Sequence, residues 1–133
     1  MQDYSSYYAS IDKPFFAPEP WVFGFAWSII YPLIIIAFLF TLYRWWQGQV
    51  RNVVLAVFGI NLLANVAFTP LQLNFPGAPW ATLDILVVLG TLAYLEWYFW
   101  RHQQLIFWLL LLYLLWGAFA TVLQVTIYVT NFI

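Results

Sequence analysis

Four apolar runs, each long enough to cross a bilayer, account for most of this chain, and the polar residues gather between them. The runs cover residues 21–43, 53–73, 80–100 and 105–130. A helix needs roughly 20 apolar residues to traverse the hydrocarbon core. None of the runs shows the strict polar–apolar alternation of a barrel strand, so helices are the remaining way to satisfy backbone groups in lipid. The pattern predicts an all-α fold: an integral membrane bundle of four transmembrane helices. It forms one domain over residues 1–133, with residues 1–20 as an N-terminal segment. Pro70 is expected to kink or end the second helix, and the turn Asn74-Phe75-Pro76-Gly77-Ala78-Pro79 follows it.

Composition agrees with a lipid environment. Four basic and five acidic side chains cannot solvate a 15.7 kDa globule that is 65% hydrophobic. Trp and Tyr favour the two membrane interfaces, and Trp45, Trp46, Trp97, Trp100 and Trp108 sit where such belt anchors belong. The absence of Cys excludes disulfides, thiol chemistry and cysteine-held metals. The single His102 falls in a loop, which excludes a haem carrier with two histidine ligands and leaves no metal site to expect. A net charge of -1 gives no reason to expect nucleic acid as a partner. The segment from Met1 to Ala9 has neither a basic region nor a small-residue cleavage site, so the first apolar run is expected to act as the targeting signal.

Basic residues set the orientation. Arg44 and Arg51 flank the first connection, and Arg101 lies in the third beside His102. The opposite side holds Asp3, Asp12, Lys13 and Glu19, the neutral second connection and the C-terminus. In a bacterial-type inner membrane, or an organellar one, both termini are then expected on the non-cytoplasmic side.

Polar and aromatic side chains recur at helical spacing within the runs. Trp27 and Tyr31 are four apart. So are Asn61, Asn65 and Thr69, then Trp80 and Asp84, then Trp116, Ala120 and Gln124, with Leu123 beside them. Each set occupies one helix face. Polar groups at membrane depth turn towards a neighbouring helix or a cavity. Four such faces describe a pocket for a flat, mostly apolar molecule. The same amides also suit plain hydrogen bonding across the bundle. Asp84 stands in the first turns of its helix, where a carboxylate complements the helix dipole. Glu96, near the other end and close to Arg101, is expected to be interfacial and solvated. Asp84 and Glu96 lie about three turns apart with no base between them, which does not support proton pumping.

Several segments resemble the TspO/translocator protein family of tryptophan-rich sensory proteins and peripheral benzodiazepine receptors. Tyr7-Tyr8-Ala9-Ser10-Ile11-Asp12-Lys13-Pro14, Pro18-Glu19-Pro20-Trp21, Trp27 and Tyr31 are similar to its K-P, P-P-x-W, W and Y region. Asn61-Leu62-Leu63-Ala64-Asn65 resembles its Q-L-x-L-N. Trp80-Ala81-Thr82-Leu83-Asp84 resembles its W-A-L-x-D, and the stretch from Tyr113 to Gln124 its Y-L-x-W-x-x-F-A-x-x-L-N. The segments come in the family's order and cover nearly the whole chain.

There are departures. The family fold has five helices, and this chain starts where the loop after the family's first helix would be. Glu19 splits the paired prolines. Asn61 replaces Gln, Gln124 replaces Asn, and Val66 and Phe68 replace tryptophans. No basic residue follows Tyr128.

The resemblance implies a membrane protein that binds tetrapyrroles such as porphyrin, and similar flat ligands, in a sensory, regulatory or transport role. The porphyrin would be a ligand and not a cofactor. Tyr8 and Pro18 would belong to a lid around Lys13-Pro14. Trp27, Tyr31, Asn65, Trp80, Trp116, Ala120 and Leu123 would line the pocket, joined by Asn61, Asp84 and Gln124. Light-dependent porphyrin degradation, attributed to some members, would fall to Trp27 and Trp116. The alternatives are that weak enzymatic activity, or a small structural subunit within a larger membrane complex. The family is commonly dimeric, and a homodimer or partner subunit would approach closely at Ala56, Gly59, Gly90, Gly117 and Ala118.

Overall fold

The structure is a computed structural model that describes residues 4–75 and 77–132. Asp3 of the terminal polar set and Pro76 of the second connection lie outside them. The described residues form five helices: α1 (Tyr4–Ser10), α2 (Pro20–Trp46), α3 (Asn52–Asn74), α4 (Trp80–His102) and α5 (Gln104–Phe132). Among the described residues, α2 to α5 are long and apolar enough to cross a membrane. The short α1 was not marked by any apolar run.

Local chemistry sets most helix ends. Pro20 opens α2, where a residue without an N–H is tolerated because the first turn has no acceptor for it. Gly48 closes α2 with φ +77, a left-handed conformation that other residues resist. Its N–H reaches Trp45 O and that of Gln49 reaches Arg44 O, satisfying carbonyls the helix end would otherwise leave open. Pro70 does not end α3, which continues to Asn74. The connection between α4 and α5 is Gln103 alone, whose N–H caps Phe99 O and whose carbonyl accepts from Ile106 and Phe107. His102 is therefore in the last turn of α4 and not in a loop, with its ring 4.5 Å from that of Tyr98.

The four long helices run antiparallel in the ring order α2, α5, α4, α3. Packing is extensive between α3 and α4, α4 and α5, and α2 and α5, and sparse between α2 and α3. Towards the end holding the arginines, Ile34 and Ala37 meet Val54, Phe58, Leu92, Leu95, Phe99, Ile106 and Leu110 in one apolar core. The outward faces carry Trp21, Ile35, Leu39, Leu63, Leu115 and Val122, as a lipid-facing surface requires.

Glu96 departs from its expected place. It is only 3% exposed, and Arg101 lies over the Trp97 ring, 5.2 Å from its centroid, instead of beside the carboxyl. Helical geometry explains this. Glu96 is four residues after Leu92 and three before Phe99 and so shares their buried stripe, while Trp97 and Arg101 share the outer face. The belt tryptophans Trp45, Trp46, Trp97, Trp100 and Trp108 are all exposed near the arginine end.

Candidate functional site

Towards the other end, the four helices leave a cavity of about 190 Å³. Phe23, Trp27 and Tyr31 line it from α2, one side chain per helical turn. Asn65, Phe68 and Thr69 line it from α3, and Ile85 and Val88 from α4. The widest wall is α5, where Tyr113, Trp116, Gly117, Ala120, Leu123, Gln124 and Ile127 follow a stripe of three- and four-residue steps. Trp27 stacks on Tyr31 at 4.9 Å, Phe23 meets Trp116 edge-on at 5.8 Å, and Trp27 meets Tyr113 at 6.3 Å. Aromatic pairs of this kind prefer offset or edge-to-face contact, and these form a stiff, flat-faced lining.

The polar groups of the wall form a directed chain. Tyr31 OH donates to Asn65 Oδ1 (3.0 Å), and Asn65 Nδ2 donates to Tyr113 OH (2.9 Å). Tyr113 OH in turn donates to Asn61 Oδ1 (2.9 Å), and Asn61 Nδ2 reaches Val88 O and Thr91 Oγ1. Nearer the termini, Gln72 and Gln124 exchange hydrogen bonds of 3.1 Å each way, while Gln124 Nε2 also reaches Thr82 Oγ1 and Gln72 Nε2 reaches Tyr7 OH. These amides are thus already engaged with protein. The buried indole N–H of Trp116 has no partner among the described residues. It remains a free donor in the wall beside amides that are already bonded.

The N-terminal segment roofs this end. Tyr8 is buried and packs with Leu123 and Ile127, joined by Ile11, Ala17, Phe23 and Phe119; three of these are cavity-lining residues. Tyr8 OH donates to Pro18 O at 2.6 Å, and Lys13 Nζ donates to Tyr8 O and sits 4.9 Å from the centre of its ring. Asn131 fastens the roof to the end of α5, accepting from the Asp12 N–H and donating to the Asp12 carbonyl, both at 2.8 Å. Burial raises the Tyr7 and Tyr8 phenols above their ordinary range; hydrogen bonding to Gln72 partly opposes this for Tyr7, and the nearby Glu19 carboxylate adds to it for Tyr8.

Of the residues singled out by sequence, Trp27, Tyr31, Asn65, Trp116, Ala120, Leu123 and Gln124 line the cavity. Tyr8 and Pro18 are bonded to each other in the roof. Asn61 stands behind the wall, fully buried, and orients Tyr113. Trp80 is half-exposed at the first position of α4 and does not line the cavity. Asp84 is also outside it, with Oδ2 buried and unpartnered among the described residues. Gly117, expected on an outer contact face, is buried inside against Leu92, whereas Gly59 and Gly90 have open space beside them. Thr69, on the inward face expected of α3, also lines the cavity, whereas Phe23, Phe68, Tyr113 and Ile127 line it without having been expected there. Phe23 continues the Trp27–Tyr31 step backwards, and Tyr113 and Ile127 extend the α5 stripe at each end, so periodicity held that signal.

Comparison with known proteins places the chain in a family. Residues 1–129 match the TspO/MBR family. The chain is 35% identical to the tryptophan-rich protein TspO of Archaeoglobus fulgidus over 133 residues, covering 98% of this chain and 83% of that one. It is 30% identical to the tryptophan-rich protein TspO of Bacillus cereus, covering 95% and 81%. To the human translocator protein it is 29% identical, covering 94% and 75%. This multi-pass integral membrane protein belongs to the TspO/MBR family.

Proposed function

We propose that the protein binds a flat, mostly apolar small molecule of the tetrapyrrole type in the cavity among α2 to α5, in a sensory, regulatory or transport role. The observation that carries this reading is the lining itself: aromatic faces from α2 and α5, amides already bonded within the protein, and a free Trp116 N–H. Such a surface rewards stacking and burial of apolar area together with one accepted hydrogen bond.

Titration with protoporphyrin, followed by tryptophan quenching in the dark, tests it. Saturable quenching is expected, weakened about two- to twelvefold when Trp27 or Trp116 becomes Leu, since losing one stacked aromatic costs about 0.5–1.5 kcal/mol beyond its buried area. Unsaturable quenching that is indifferent to both substitutions would refute the reading. Repeating the titration under illumination separates binding from light-dependent degradation, which would consume the porphyrin.

The proposed topology places both termini on the non-cytoplasmic side, because Arg44, Arg51 and Arg101 share the other face. The chain has no native Cys, so single cysteines report cleanly. In right-side-out vesicles of a bacterial inner membrane, an impermeant maleimide is expected to label Phe15→Cys but not Gln47→Cys. The reverse pattern would invert the topology.

A further inference from the structure

The end that holds Arg44, Arg51 and Arg101 carries charge of one sign. Among the described residues, the carboxylates of Asp12, Glu19 and Asp84 stand at the opposite end, and that of Glu96 is buried. No exposed carboxylate of the described residues therefore offsets the guanidiniums at their own level, which is the level of lipid headgroups. We propose that the corner where α4 turns into α5 binds one anionic phospholipid, with Arg101 on its phosphate and Trp97, Trp100 and Trp108 beside its glycerol and upper acyl chains.

Arg101 is prepared for this contact. Its guanidinium lies over the Trp97 ring, 5.2 Å from the centroid, one helical turn back on the outer face of α4. A cation held on an aromatic face has lost part of its side-chain freedom before a ligand arrives. The planar fork keeps its edge donors available, and two parallel N–H bonds match phosphate oxygens. Arg44 differs, because its Nη1 donates to Gln49 Oε1 at 2.9 Å within the first connection.

The rings decide what carries the phosphate. Trp100, Phe107 and Trp108 form one cluster across the corner: Trp100 lies 5.0 Å from Phe107 and 6.2 Å from Trp108, and the last two are 5.1 Å apart. Trp97, Trp100 and Trp108 are each half or more exposed. Gln103 alone joins the two helices, so no loop of this connection folds over them. A free phosphate ion would leave that apolar surface unused, whereas a lipid covers it while its headgroup meets Arg101. A zwitterionic lipid brings its own cation, which the arginines at this level repel; an anionic lipid is attracted by all of them. The site is separate from the cavity, so it stands or falls independently of the tetrapyrrole reading.

Gln104→Cys places a single thiol at the corner, because the chain has no native Cys. With bimane on that thiol and the protein in nanodiscs, quenching by doxyl-labelled phosphatidylglycerol and by doxyl-labelled phosphatidylcholine gives the local lipid preference. At near-physiological salt, phosphatidylglycerol is expected to be preferred about fivefold or more. Arg101→Gln should reduce that preference about fivefold, the contribution of one basic residue near an anionic surface. Trp97→Leu, which removes the platform, should reduce it about two- to fivefold. Arg44→Gln should change it less than about twofold, since that guanidinium is engaged in the first connection and distant charges are screened. The same probe on Phe15→Cys, at the end holding Asp12 and Glu19, should show no preference. Millimolar inorganic phosphate at constant ionic strength should leave the preference at the corner unchanged. No preference at Gln104→Cys, or an equal one at Phe15→Cys, overturns the site. So does a preference that survives Arg101→Gln, or one that falls equally with Arg44→Gln, which would mean a diffuse field. Loss of the preference to inorganic phosphate would mean a soluble anion and overturns the lipid.

Discussion

Replacing Tyr113 with Phe is expected to destabilise the bundle by about 1–3 kcal/mol, the largest loss from a single-oxygen change at this site. The hydroxyl accepts from Asn65 and donates to Asn61, at 2.9 Å each. Bonds between membrane helices contribute about 0.6 kcal/mol on average and up to about 1.7, so losing two sums to the stated range. The upper half applies if the freed groups stay unpaired, because Asn61 is fully buried. Unfolding in mixed micelles measures the loss. The double variant Asn61→Leu, Tyr113→Phe supplies the control: with the orphaned amide removed, its cost should fall below the sum of the single changes. Strict additivity would mean that the two side chains do not act together.

How far the sequence reveals this site depends on periodicity. Trp27 with Tyr31, Asn61 with Asn65 and Thr69, and Trp116 with Ala120 and Gln124 are separated by one helical turn, so each set must share a face. Because polar groups avoid lipid, those faces had to point inward. Residues that contact the cavity only through apolar atoms carry no such mark. Ile85 and Val88 line it, yet nothing distinguishes them along their own helix from the exposed Leu86 and Val87. Trp80 shows the opposite failure. Its spacing to Asp84 suggested an inward face, but at the first position of α4 it is half-exposed, where an interfacial tryptophan is also at home. The Asp12–Asn131 fastening, across 119 residues and through the Asp12 backbone, leaves no trace in residue type at one of its ends. The sparse α2–α3 contact is likewise a property of four helices together and not of any one.

Glu96→Met is expected to do the reverse of Tyr113→Phe and raise stability by about 1–3 kcal/mol. Charge counting near Arg101 pointed to a solvated carboxylate, but the helix turns Glu96 into the stripe of Leu92 and Phe99, leaving it 3% exposed. Both carboxyl oxygens are inaccessible and have no hydrogen-bond partner among the described residues. A buried polar group in that state has lost its hydration and gained nothing, at a cost of about 1–3 kcal/mol. Methionine has nearly the same length and flexibility, so it fills the space without leaving a cavity and adds favourable apolar contact. Glu96→Gln separates polarity from shape: the amide is as long and as unpartnered, so it should gain much less than Met. Measured by unfolding in mixed micelles, the expected order is Met above Gln, with wild type lowest or level with Gln. A Met variant less stable than wild type would show that the carboxyl is bonded in the membrane, and the orphaned-group account of α4 would then fail.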